Sequence, residues 1–418
     1  MSVLFNSSRA KQFMQQGNVD VLIATSSANV RYLSDYSCWL DPLFKEYMMS
    51  PGASSNLSQR SYAVVPVEGE PALIVKSIMS PDAADLAVKD IRLYADPGLD
   101  YSLFSTPATE VETRFLALLR NTPPSTTAIE ALTAALRDRG LCDARVGVEM
   151  EGLPSEVKKE LSQALPRARL RDCTNLIRLI RAVKTPEEVR LLAQAAAIAE
   201  QAAMESLAGA RIGGRARDLV ERFRSCVGQQ SATFDHFSFS LSGLGICSEP
   251  DYVFRPQDVV FIDYGCIVSS YFSDTGTTLV FSELRPEIAK RYTALQACVA
   301  AGASEMRPGA KSSSVQKAMS EVLKEAGISN SFPHGHGLGL EVRDYPILVP
   351  CNGLEIRDEC IGVDSDLPLE EGMVINLEAP LFMPIAGALQ VEKTFVVTTD
   401  GCRELVRQDR TRAYRAAN

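Results

Sequence analysis

Short apolar stretches with strand-like alternation are interleaved along the chain with longer stretches of helical period. Residues 20–26 (DVLIATS) are an apolar run with polar flanks, which predicts a buried strand. SSANVRYLSDY follows and predicts a short helix capped by Ser26 or Ser27. YAVVPV (62–67) and PALIVK (71–76) predict a hairpin turning at Glu68–Glu70. Helical patterns follow near 80–88, 108–120 and 125–139, then a strand over Arg145–Glu149 and a helix over 154–165. The N-terminal MSVLFNSSRAKQFMQQ reads as a short amphipathic helix. Strands mixed with helices in this way predict a layered α/β domain ending near Cys173.

Beyond that point LIRLIRAVKTPEEVRLLAQAAAIAEQAAMESL predicts a helix start and a long helix. Thr185 supplies the cap, Pro186 the first-turn proline and Glu188 the first-turn acid. A second helix covers about 214–228, and FDHFSFSLSG (234–243) reads as a strand. The stretch 259–278, VVFIDYGCIVSSYFSDTGTT, predicts two short apolar strands, each delivering one aspartate. Asp263 and Asp274 are eleven residues apart, a spacing that a hairpin brings face to face. Alternation points Ile262 and Tyr264 away from Asp263. A carboxylate flanked by Val259, Val260, Phe261 and Ile262 is costly to bury without a cation or a proton. The plain alternative is a pair of turn aspartates beside glycines.

Three later residues weigh against that alternative. His336 lies in HGHGLGL, read as a flexible glycine-rich loop in which Gly335, Gly337 and Gly339 let backbone approach a metal or substrate. Glu378 lies in MVINLEAP and Glu392 in LQVEKTFVVT, both apolar strands. One imidazole with four carboxylates suits two adjacent divalent cations. That donor set favours manganese, iron, cobalt or zinc over calcium.

Composition narrows the class. Of 418 residues, 46% are apolar and 23% charged, as in ordinary globular chains. The net charge of −9 argues against nucleic acid as a partner. No apolar run reaches the roughly 20 residues that span a bilayer, so no membrane role is expected. The N-terminus lacks a hydrophobic signal core, which predicts a cytoplasmic protein. Ten cysteines without a Cys-x-x-Cys pair agree with free thiols in a reducing compartment. The three histidines are His236, His334 and His336. His236 is open to two readings, a structural histidine on a strand face or a substrate-binding pocket residue. His334 reads as loop-stabilising, and 350–366 as an exposed insertion.

The pieces FIDYG, SDTGTT, GHGLGLEV, INLEAP and QVEKTFVVT, in that order and with spacings of eleven and fourteen, resemble the pita-bread metallohydrolases of peptidase family M24. Methionine aminopeptidase, aminopeptidase P, prolidase and creatinase-like enzymes belong to that family. The resemblance is close from about Asn175 to Thr399. It implies an α/β (α+β) fold: a creatinase-like N-terminal α/β domain over 1–174, then a pita-bread catalytic domain over 175–418 with a curved antiparallel sheet covered by helices. It implies that Asp263, Asp274, His336, Glu378 and Glu392 hold two divalent ions (Mn, Co, Fe or Zn), and that the protein is a homodimer. Its N-terminal domains often reach the partner's active site, which makes Trp39, Lys45 and Tyr47 candidates for substrate contact. The alternative is that their loop packs onto its own domain.

Two family features are missing. Relatives carry a Pro-His pair shortly after the SG of SLSG, where Ile246 and Cys247 stand here. They carry a second histidine seven residues after the ligand histidine, where this chain has Arg343. Arg343 has a planar donor fork suited to carboxylates, which fits catalytic support of an oxyanion or binding of an anionic substrate group. A plain ion pair with Asp344 or Glu341 is the alternative. The expected activity is dinuclear-metal hydrolysis of a peptide or amide C–N bond in a dipeptide or other small substrate. It would be Xaa-Pro dipeptidase-like but with a non-standard substrate, and Glu378 would serve as both ligand and general acid/base. The rival readings are a metal-free creatinase-like or ectoine-type hydrolase, a dimethylsulfoniopropionate lyase-like enzyme and a non-enzymatic binding relative.

Overall fold

A computed structural model describes residues 4–38, 60–103, 106–107, 109–407 and 413–416. Trp39, Lys45 and Tyr47 lie outside the described residues. The chain forms two compact units, Met1–Arg181 with Ile356–Val363, and Ala182–Glu355 with Asp364–Asn418. Among the described residues no helix is long and apolar enough to cross a membrane.

The first unit is a mixed six-stranded sheet. Its order is Asp90–Tyr94, Ala72–Lys76, Tyr62–Pro66, Val21–Ala24, Arg145–Val148, Arg169–Asp172. Val21–Ala24 pairs antiparallel with the hairpin strand Tyr62–Pro66 and parallel with Arg145–Val148. Val21, Ile23, Val64, Ile74 and Val146 pack there against Leu132 and Leu136 of the helix Ala128–Asp138. Thr127 and Glu130 close that helix's first turn with a capping box, and Ser26 caps Ser27–Ser34 as expected. The helical pattern near 80–88 is realised instead as a 3₁₀ helix, Ser77–Ala83, with Pro81 inside it. Part of the supposed exposed insertion is not exposed. Ile356 and Cys360 are buried, and Asp358 Oδ2 accepts from the Leu176 amide at 2.8 Å.

The second unit carries two largely antiparallel sheets. One runs Tyr414–Arg415, Thr275–Val280, Val259–Val268, Thr233–Ser240, Cys247–Ser248, with Tyr271–Phe272 folded back on Val259–Val268. The other runs Asp344–Leu348, His334–Gly337, Val374–Met383, Gly387–Val397, Cys402–Glu404. Side chains join the two. Thr278 Oγ1 donates to the Gln390 carbonyl at 3.0 Å and accepts from the Gln390 amide at 2.9 Å. Thr394 Oγ1 donates to the Asp274 carbonyl at 3.0 Å.

Each sheet is backed by a helix pair. Pro186–Leu207 and Ala216–Gln229 bury Ala195, Ala199, Ala202 and Phe223 against Phe237, Ile262 and Tyr264. Pro286–Glu305 and Ser312–Glu325 bury Leu295, Val299, Val315 and Met319 against Ile375, Leu377, Leu389 and Phe395. Alternation then sends Asp263, Glu378 and Glu392 to the face away from the helices. Thr185 and Glu188 form the expected capping box on the long helix. This mixed α/β architecture is the one the sequence predicts.

HGHG is not a flexible loop. His334–Gly337 is an inner strand, paired with Asp344–Leu348 on one side and Val374–Met383 on the other. Its glycines admit neighbouring backbone rather than a ligand: a Cβ on Gly337 would stand 2.8 Å from the Asp344 carbonyl oxygen.

Candidate metal centre

Two hairpins supply the carboxylates. Glu378 and Glu392 are direct cross-strand partners. Asp263 is paired with Gly276, not with Asp274. Asp274 precedes the strand Thr275–Val280 and lies two residues further along, a diagonal neighbour on the same face. The two aspartates are thus offset rather than face to face. The space opposite Asp263 belongs to Glu392, since a Cβ on Gly276 would stand 2.5 Å from Glu392 Oε2.

The histidines close the cluster. His336 Nε2 is 3.3 Å from Asp274 Oδ2 and 3.8 Å from Glu378 Oε1, and its ring is 1% exposed. His236 Nε2 lies 2.9 Å from Asp263 Oδ1 and 3.5 Å from Asp274 Oδ1. His334 Nε2 is 2.7 Å from Glu378 Oε1. All three histidines of the chain therefore meet the carboxylates. His334 departs from the loop-stabilising role expected of it. The signal in the sequence was scarcity: a chain with three histidines places every one of them here. Arg343 Nη2 stands 3.5 Å from Glu378 Oε1 and 3.3 Å from His334 Nε2, with 56% of its side chain exposed. It pairs with neither Asp344 nor Glu341 among the described contacts. Asp344 instead faces Lys184 at 3.5 Å, both side chains 1% exposed.

The electrostatics are those of crowded anions. Burial, with the charges of Asp263, Asp274 and Glu378, pushes Glu392 well above the usual carboxylate range. Two amides resist this by donating to its oxygens, Asn376 Nδ2 at 2.6 Å and Gln390 Nε2 at 2.8 Å. Burial raises Asp263 to about 6 against the opposing pull of His236. Asp274 goes the other way: burial is outweighed by its hydrogen bond with His336 and the nearby charges of His236, His336 and Arg343. Burial works against His236, but hydrogen bonds to Asp235 and Asp263 carry it up to about 10. His336 is likewise raised, mainly by Asp274, against burial. Four carboxylates and buried imidazoles on one cleft face are the donors that divalent transition ions take. Burial and then repulsion lift Glu392, and such cations offset both.

Metal-free protein is expected to lose stability as pH rises from 6.5 to about 10. The folded pKa of His236 exceeds its unfolded value, so its contribution is full below 6.5 and lost through about 10. The raised Asp263 loses its contribution lower, between about 3.8 and 6, and so leaves this window to His236. Thermal midpoints in chelator at about pH 6.5 and 9.5 check this, and equal midpoints would refute it.

The sequence profile of metallopeptidase family M24 matches residues 190–399, and that of the creatinase/prolidase N-terminal domain matches 7–183. The Xaa-Pro dipeptidase of Pyrococcus furiosus is 27% identical over 243 residues, 56% of this chain and 66% of that one. An uncharacterized peptidase of Bacillus subtilis, YqhT, is 23% identical over 409 residues, 95% of this chain and 96% of its own. Among solved structures, the prolidase from Pyrococcus horikoshii superposes with a TM-score of 0.71 at 18% identity, covering 97% of this chain and 99% of that chain. The Xaa-Pro dipeptidase from Bacillus anthracis gives 0.72 at 17%, covering 98% of each.

Proposed function

The chain belongs to metallopeptidase family M24 and is a metal-dependent peptide-bond hydrolase by that membership, and from that premise we propose that it cleaves the C–N bond of a small substrate bearing an anionic group. A dipeptide and a compact amide of a modified amino acid are the two substrate types in view. The observation that carries the reading is Arg343. It reaches Glu378 from a half-exposed position beside the carboxylate cluster, at the place where the family resemblance implies a histidine. A permanently charged fork there binds a carboxylate but does not exchange protons near neutrality.

Asp263, Asp274, His336, Glu378 and Glu392 would hold two divalent cations, with Mn, Co, Fe and Zn all compatible with the donors. Such cations supply Lewis acidity and a water acidic enough to attack near neutral pH. Glu378 takes the proton of the attacking water and delivers it to the leaving amine. His334, 2.7 Å from Glu378 Oε1, holds that carboxylate in place. Arg343 orients the substrate through its anionic group. Trp39 and Tyr47 remain candidates for substrate contact. A homodimer in the cytoplasm completes the proposal.

The test combines elemental analysis with turnover of a panel of dipeptides, including Xaa-Pro, and small amides, before and after chelation. About two transition ions per chain are expected, with cleavage lost on chelation and restored by manganese or cobalt. Arg343→Ala should raise KM for the anionic substrate about 10- to 100-fold, with kcat less affected. Metal-free protein whose turnover ignores chelator would overturn the mechanism in favour of creatinase-like, metal-free chemistry. An unchanged KM in Arg343→Ala would remove the anion-binding role.

A further inference from the structure

The strand Thr233–Ser240 pairs with Val259–Val268, and its register slips between Phe234 and His236. In an unbroken strand Asp235 and His236 would point to opposite faces. The irregularity re-aims them, as bulges beside functional sites do. Asp235 Oδ2 lies 2.8 Å from His236 Nδ1, while Nε2 points at Asp263 and Asp274. The ring fits because its strand partner is Gly265, where a Cβ would stand 2.6 Å from His236 Cε1.

One ring nitrogen on a carboxylate and the other at ligand oxygens is how metal-binding histidines are oriented. His336 is built in parallel. Its Nδ1 donates to the Gly337 carbonyl at 3.0 Å, and its Nε2 faces Asp274 Oδ2. Asp274 thus has an imidazole nitrogen before each of its two oxygens. Ligands bonded to one ion at about 2.0–2.2 Å have donor atoms roughly 3 Å apart. His236 Nε2 and the nearest oxygens of Asp263 and Asp274 meet that spacing.

We propose that His236 is a sixth metal ligand, serving the cation position bounded by Asp263 and Asp274, with Asp235 as its positioning residue. This rests on the dinuclear reading above. His336 serves the other position, so each cation has one imidazole. That second nitrogen donor shifts preference from manganese toward zinc, cobalt or iron.

The test is cobalt(II) titration of the metal-free full-length protein, followed by visible absorption and calorimetry, and it needs no substrate. Wild type should bind two ions. His236→Ala should keep one and bind the other more than about 100-fold more weakly, with altered d–d bands, and Asp235→Asn should weaken the same site about 10-fold. Thermal unfolding of the metal-free variants monitors folding. Cadmium NMR on wild-type protein with isotope-labelled histidine avoids the variants altogether. Scalar coupling should reach the Nε2 of both His236 and His336. Coupling at His336 alone, or two undiminished cobalt sites in His236→Ala, overturns the sixth ligand and leaves the five-ligand centre standing. A wild-type chain that takes up no cobalt overturns both.

Discussion

Asp274→Asn protein should keep its fold and lose about four orders of magnitude in kcat/KM. The substitution preserves shape and removes one charge. The Asp274 carbonyl, which accepts from Thr394 Oγ1 and Asn376 Nδ2, is untouched. What goes is the carboxylate facing both His236 and His336. It is also the carboxylate that these neighbours hold below its ordinary range despite burial, so it stays ionised while Glu392 is pushed toward protonation. Losing about 5 kcal/mol of metal-dependent transition-state stabilisation, at 1.36 kcal/mol per tenfold, gives that factor. Rate and metal content measured on the same preparation check it. Activity within tenfold of wild type would show that Asp274 is not a shared ligand.

Lys184→Met should destabilise the protein by about 3–5 kcal/mol. Lys184 and Asp344 face each other at 3.5 Å with side chains 1% exposed. Removing the cation takes from a buried carboxylate the ammonium that faces it. Lys184→Met combined with Asp344→Asn should recover much of the loss, because the buried charge is then gone too. Denaturant unfolding of the two proteins gives the comparison, and equal losses would refute the account. The pair also bears on the substrate. Asp344 opens the strand Asp344–Leu348 directly after Arg343. Loosening it should raise KM for anionic substrates before it lowers kcat.

Much of this was legible because it is local or periodic. The cap at Thr185 with Glu188 and the cap at Ser26 follow from residue types at fixed offsets. Strand alternation sent Ile262 and Tyr264 into the core and left Asp263 on the opposite face. The failures are non-local. Three glycines around His334 and His336 suggested a loop, whereas they mark an inner strand squeezed between two neighbours. The partner of Arg343 is Glu378, 35 residues away in sequence rather than beside it. Lys184 meets Asp344 across 160 residues, beyond any pattern rule. The contact of Asp235 with His236 depends on a break in the very alternation used to read the strand.

The offset of the two aspartates is set by a tight reversal. Val268 pairs with Tyr271 across Ser269 and Ser270, whose φ angles are +48° and +72°. Two left-handed residues in succession are the signature of the hairpin turn that matches strand twist. Side chains swap faces with every residue of slip. One residue taken up between Val268 and Tyr271 as a register slip, rather than as a longer turn, would point Asp274 toward the helices while altering none of the five motifs. Such a slip would dismantle the centre with every ligand letter intact.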